Sequence, residues 1–136
     1  MPTYLLDTNH ASPLVTPQHP LRQRVLQRLD AGDSFTICVP VLTETLFGIG
    51  ILPRAAQNRA EWAQLQPRLP CYIPDETDAA FAAELQIALR RQGRQLATID
   101  ALIAVITLRY DLILLTTDGD FRAVPRLQHE NWLQPQ

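Results

Sequence analysis

Residues 112–115 read Leu-Ile-Leu-Leu and then break into Thr-Thr-Asp-Gly-Asp. A strand with one face in water alternates apolar and polar side chains. A run without alternation has to be covered on both faces, which is the situation of a strand inside a parallel sheet. Tyr4 to Leu6 is a second run of this kind and stops at Asp7 in the same way. The chain must therefore supply helices for both sides of a sheet.

The intervening sequence supplies them. After a loop signalled by Pro13, Pro17 and Pro20, Leu21, Val25 and Leu29 recur every four residues among Arg22, Arg24 and Arg28, an amphipathic helix closed by Gly32. Phe35 to Val39 forms a second strand. Pro40 opens a helix with Val41, Leu42, Leu46 and Phe47, because proline's missing N–H has no partner in a first turn, and Glu44 lies early in that helix. Ala55 to Gln66 is helical in propensity and is stopped by Pro67, and Cys71 to Ile73 is a brief third strand. In the next helix Thr77 is the expected N-cap, Phe81, Leu85 and Leu89 form one face, and Gly93 closes the end beyond Arg90 and Arg91. Thr98 is the expected cap of a helix that is apolar nearly all round, through Ile99, Leu102, Ile103, Val105 and Ile106, with Asp100 its one early charge. The tail to Trp132 offers an edge strand. No repeat or linker interrupts this alternation, and 136 residues at 46% apolar content suit one core, so the expectation is a single α/β domain over 1–136.

Composition removes several classes of function. No apolar run approaches the roughly 18 residues of a membrane span, and Met1 to Asp7 lacks the succession of a signal peptide, so the expected setting is the cytoplasm, without a membrane partner. The arginine-bearing helix has too few apolar residues to insert into lipid, which leaves partner contact as its expected use. Cys38 and Cys71 lack ligand spacing and are expected to be buried and unlinked. All 12 basic residues are arginine, and without lysine neither a Walker-type phosphate loop nor a receiver domain is available. Gly48 and Gly50 begin a GxG pattern, but Pro53 stands where a third glycine would be needed. His10 lies near enough to Asp7 to line a cleft there, although His10, His19 and His129 form no ligand pair. The net charge of −2 argues against indiscriminate nucleic-acid binding.

The acids carry the chemistry. Ligand sites of open parallel sheets lie beyond the carboxyl ends of the strands. Asp7 and Asp118 follow strands, Glu44 begins the helix leaving the second strand, and the helix of Asp100 runs into the Leu112 strand through a very short turn. All four should reach one edge of the sheet. Each alone has an ordinary explanation, since acids suit helix N-termini and aspartate suits turns. Gathered together they repel, and a divalent cation is the natural remedy. An all-oxygen set suits Mg2+ or Mn2+, and two ions about 4 Å apart would serve an in-line displacement at a phosphodiester.

Leu5-Leu6-Asp7-Thr8-Asn9, Thr43-Glu44, Gly93 with Ile99-Asp100-Ala101-Leu102-Ile103-Ala104, and Leu115-Thr116-Thr117-Asp118-Gly119-Asp120-Phe121 resemble PIN-domain nucleases of the VapC type, almost from end to end. The resemblance implies a three-layer α/β/α sandwich with about four to five mainly parallel strands. It also implies an endoribonuclease acting on structured RNA such as transfer or ribosomal RNA, one or two Mg2+ or Mn2+ ions, homodimerisation, and a cognate antitoxin that blocks the site. Carried over position by position, Asp7, Glu44, Asp100 and Asp118 are the metal-binding and catalytic set, Thr8, Asn9 and Thr117 its polar supports, and Asp120 an additional acid. Gly119 and the proline-rich stretch Pro13–Pro20 depart from the family pattern. The competing reading is a catalytically weak PIN scaffold, or an RNA-binding or housekeeping RNA-processing module with no antitoxin; the intact acids weigh toward the enzyme. Arg90, Arg91 and Arg94 have two standing accounts, complementing a helix dipole and binding RNA phosphate.

Overall fold

The covered run ending at Leu115 pairs with the first strand of the chain. The computed structural model describes residues 1–133; residues 134–136 of the domain expected over 1–136 lie outside the described residues. In chain order the elements are β1 (Thr3–Leu6), α1 (Thr8–Ala11), α2 (Pro20–Asp30), β2 (Ser34–Cys38), α3 (Val39–Gly50), α4 (Ala55–Leu65), β3 (Cys71–Tyr72), α5 (Glu76–Arg91), α6 (Thr98–Arg109), β4 (Ile113–Leu115) and β5 (His129–Glu130). Short 3-10 turns add Ser12–Val15, Gln66–Arg68 and Gly119–Ala123. The strands form one five-stranded sheet in the order β3-β2-β1-β4-β5, with every pairing parallel. Helices cover it on both faces, the α/β/α sandwich expected from the unalternating strands. Leu5, Leu6, Phe35, Ile37, Leu114 and Leu115 have no exposed surface, so the central strands are buried as their composition requires.

The strand order places the site. From β1 the chain steps outward to β2 and β3, then returns across the sheet to β4 and β5. The direction reverses between β1 and β4, and in open α/β sheets that switch point opens a crevice at the carboxyl ends. Asp7 follows β1 directly, while Thr116 and Thr117 separate β4 from Asp118. No helix among the described residues is long and apolar enough to cross a membrane.

Several local expectations give way. Pro13 lies in the 3-10 turn that continues α1, and Pro20 opens α2 behind a cap in which His19 Nδ1 accepts from the Leu21 N–H at 3.0 Å. These prolines begin helical turns, where an absent N–H costs nothing, so only a short connection remains of the expected loop. The cap of α5 is Asp75 rather than Thr77. Its Oδ1 accepts from the Asp78 N–H and Asp78 Oδ2 accepts from the Asp75 N–H, each at 2.9 Å. This reciprocal capping box satisfies two otherwise unpartnered N–H groups, more than a lone Thr77 hydroxyl offers. The inward face of α5 is Asp78, Ala82 and Leu89, while Phe81, placed with Leu85 and Leu89 by its spacing, is 58% exposed. Thr98 is the first residue of α6, not its cap, because Ala97 holds the cap position without a side-chain bond. Ile99 is likewise exposed, so α6, apolar nearly all round, is not buried all round. Cys38 is buried, but Cys71, on short β3, is exposed.

The arginines expected to make α2 a partner surface are largely engaged within the fold. Arg22 pairs with Glu61 at 2.8 Å, Arg28 pairs with Asp33, and the Arg24 guanidinium lies 3.8 Å from the centre of the Trp132 ring. That ring packs edge-on against Tyr4 and Phe35, tying the end of the chain back onto β1 and β2.

Candidate active site

The Asp7 N–H donates to the Leu115 carbonyl at 2.9 Å, extending the β1–β4 ladder by one rung and leaving the side chain at the switch point. That side chain is nearly buried and held from both sides. Oδ1 accepts from the Thr8 N–H at 2.8 Å; Oδ2 accepts from Thr116 Oγ1 at 2.7 Å and Asn9 Nδ2 at 3.3 Å. Thr8 Oγ1 also donates to Glu44 Oε1 at 3.3 Å, linking the end of β1 to exposed Glu44 on α3.

Thr116 is the hub that the sequence reading did not single out. While its hydroxyl donates to Asp7, the oxygen accepts from the Asp118 N–H at 3.0 Å and from Asn9 Nδ2 at 3.4 Å, so its one donor and both lone pairs are engaged. Thr117, the expected support, is exposed and contributes its backbone N–H to Asn9 Oδ1 at 3.1 Å. Because Leu114 and Leu115 are both buried, side-chain alternation along β4 does not distinguish the two threonines; the β1–β4 register, which sets Leu5 opposite Leu114, does. Asp118 caps the following 3-10 turn, its Oδ1 accepting from the Asp120 N–H at 2.8 Å.

His10 does not line the cleft. It is fully buried, and its Nε2 accepts from the Trp132 N–H at 3.0 Å. A backbone N–H only donates, so the ring proton is assigned to Nδ1, which donates to Asn9 Oδ1 at 2.7 Å. Burial pulls the ring's pKa down to about 4, which keeps it neutral around pH 7. A chain of hydrogen bonds thus runs from Trp132 through His10 and Asn9 to Asp7.

Asp100 reports on all the acids at once. It lies half-buried in the first turn of α6, and its pKa is pushed up to about 6. Burial is the largest cause, followed by the negative charges of Asp7, Asp118, Glu44 and Asp120. The five candidate acids, drawn from both central strand ends and two helices, therefore share one electrostatic site. Among the described residues no three His, Cys, Asp or Glu side chains are gathered tightly enough to cage an ion on their own.

A model of the PIN domain family matches residues 4–127. Curated proteins give no match to the sequence. Among solved structures the chain is similar to VapBC2 from Rickettsia felis bound to a DNA fragment from their promoter, with a TM-score of 0.82 at 24% identity, covering 96% of this chain and 98% of that one. It is also similar to VapBC-5 from Mycobacterium tuberculosis, a member of the VapBC family of toxin-antitoxin systems, with a TM-score of 0.66 at 22% identity over 96% and 98% of the two chains. VapC20 of Mycobacterium tuberculosis, a Sarcin-Ricin loop cleaving toxin, gives a TM-score of 0.64 at 18% identity over 90% of this chain and 95% of that one. At these identities the likeness is one of fold. The family match begins in β1 and takes in every one of the clustered acids: the chain belongs to the PIN domain family.

Proposed function

We propose that this chain acts as one PIN domain over 1–136 and is a metal-dependent endoribonuclease, the toxin of a type II toxin-antitoxin pair. The observation that carries the reading is geometric: Thr116 ties Asp7 to the Asp118 backbone where β1 and β4 end, Thr8 reaches Glu44, and Asp100 lies half-buried in the first turn of α6. The four charges that act most strongly on Asp100 are all negative, an arrangement that costs stability unless a cation or a proton joins it. The donor set is all oxygen and fits Mg2+ or Mn2+, one or two ions, which take their remaining ligands from water and substrate phosphate. Asp7, Glu44, Asp100 and Asp118 would hold the metal, with Asp120 a further acid at the rim. A metal held there by Asp7, Glu44, Asp100 and Asp118 would supply an activated water and charge stabilisation at the leaving oxygen.

The chain's own groups set the rest. Thr8, Asn9 and Thr116 fix both oxygens of Asp7, so this carboxylate needs no reorientation as substrate arrives. Burial and the neighbouring acids hold Asp100 above the ordinary aspartate range, so a cation held there would have to compete with a proton. RNA is the substrate class, and the sarcin-ricin-loop activity of VapC20 supports structured ribosomal or transfer RNA. The VapBC relatives support a cognate antitoxin that covers the site. A homodimer in the cytoplasm completes the reading.

Purified protein should cleave RNA in millimolar Mn2+ or Mg2+, stop in EDTA, and lose cleavage in Asp7→Asn. Cleavage that persists in EDTA would remove the metal from the mechanism. RNA binding without cleavage under any divalent ion would favour the scaffold reading.

A further inference from the structure

We propose that the groove between the end of α5 and the Gly119–Ala123 turn carries the RNA backbone as it leaves the acids, with Arg90 and Arg94 binding its phosphates. The inference rests on the nuclease reading and adds to it a path for the strand. Arg94 and Gln95 share a concavity with Gly119 and Asp120. A larger one, about 470 Å³, joins Arg90 and Arg94 to Asp120. Asp120 lines both concavities, and its charge also acts on Asp100, which relates the groove to the acid cluster.

The groove wall is built to hold its shape. Gly93, at φ +75°, donates to the Arg90 carbonyl at 3.0 Å, and the Arg94 N–H donates to the Leu89 carbonyl at 2.9 Å. These two bonds make a Schellman motif, which sets the direction of the chain at Arg94. Gln86 Nε2 then donates to the Leu96 carbonyl at 2.9 Å and to Thr98 Oγ1 at 3.2 Å, bracing the segment from α5 to α6.

The charges on this wall are unspent. Arg22, Arg28, Arg68 and Arg109 all have carboxylate partners, whereas Arg90 and Arg94 are exposed and have none among the described residues. A helix dipole accounts for Arg90, in the last turn, but not for Arg94, which lies beyond the helix. A polyanion approaching five acids is repelled, and two guanidinium groups sharing a concavity with Asp120 offset that repulsion while offering bidentate contacts. No aromatic side chain lines the groove, so it offers phosphate contact without base stacking and favours no sequence.

Binding of a fluorescent RNA oligonucleotide in EDTA, followed by anisotropy across salt concentrations, tests the groove. The Arg90→Ala/Arg94→Ala protein should bind at least about tenfold more weakly than wild type, with the slope of log Kd against log salt reduced by about one to two. Arg91→Ala removes a charge from the same helix end outside the groove and should change Kd less than about twofold. Arg90→Lys/Arg94→Lys should recover most of the loss. Equal losses in the Arg91→Ala and double alanine proteins would reduce the effect to net charge and overturn the groove, as would an unchanged Kd in the double variant. Wild-type protein that binds RNA through these arginines but never cleaves it with Mn2+ would sink the nuclease reading and leave the groove standing. Failure of wild type to bind RNA would sink both.

Discussion

Two groups of acids sit at helix N-termini in this fold, and they have opposite fates. At the start of α5, Asp75 and Asp78 cap the helix reciprocally, and the Arg109 guanidinium reaches both, at 3.1 Å and 3.0 Å. Asp78 is completely buried there, and Asp75 is held below the ordinary carboxylate range by the Asp78 N–H and by Arg109. At the start of α6, burial and the charges of Asp7, Asp118, Glu44 and Asp120 push Asp100 the other way. Residue type and helix position are shared; the difference lies in what the rest of the fold brings alongside. One group stabilises the protein, and the other keeps a charge deficit at the mouth of the sheet.

Exchanging the roles tests that contrast most strongly. Asp100→Asn should lower RNA cleavage at least about a hundredfold while leaving the melting temperature unchanged or higher. Arg109→Ala should do the reverse, lowering the melting temperature by leaving Asp78 buried without its cation, while folded protein keeps its cleavage rate. Melting curves and single-turnover cleavage on the same samples read both. Loss of activity in folded Arg109→Ala protein would erase the distinction between the two groups.

A smaller effect separates the two threonines after β4. Thr116→Val removes a hydroxyl that orients Asp7 and should raise the Mn2+ concentration needed for half-maximal cleavage by about tenfold. Thr117→Val should leave it unchanged, because that residue contributes its backbone N–H. Equal effects would mean that the hydroxyl network around Asp7 does not orient the site.

The smallest effect is the pH dependence of stability in EDTA. Asp100 is raised from 3.8 to about 6 on folding. Its proton-bound contribution is complete below about pH 4 and is lost as pH rises through 6. His10, lowered from 6.5 to about 4, has the opposite sign: its contribution is complete above about pH 6.5 and is lost as pH falls toward 4. The two counteract within one window, so total stability alone is a poor readout. The melting temperature of Asp100→Asn minus that of wild type removes the share of His10 and should grow by about 3 to 5 °C from pH 4 to pH 7. A gap that stays constant would show that Asp100 does not titrate there.

Much of the site was legible because its acids lie beside strong local signals. Asp7 ends one apolar run, the Asp118 segment ends another, Glu44 follows Pro40, and Asp100 interrupts the apolar series of α6. The supports were harder to read. Choosing Thr116 over Thr117 requires the β1–β4 register, a contact across 109 residues for the bond to Asp7. The role of His10 depends on a backbone N–H 122 residues away at Trp132. Prolines misled in the opposite direction, because a proline starting a helical turn and one in a loop look alike until the cap before it is known.

The sequence by itself determined the class of the fold and the residues at the carboxyl edge, since side-chain periodicity and chain breaks are properties of neighbours along the chain. Only the tertiary structure decided which acids are neutralised. The state of a carboxylate depends on its burial and on charges within a few ångströms, and for Asp78 and Asp100 those charges arrive from elements distant in the chain.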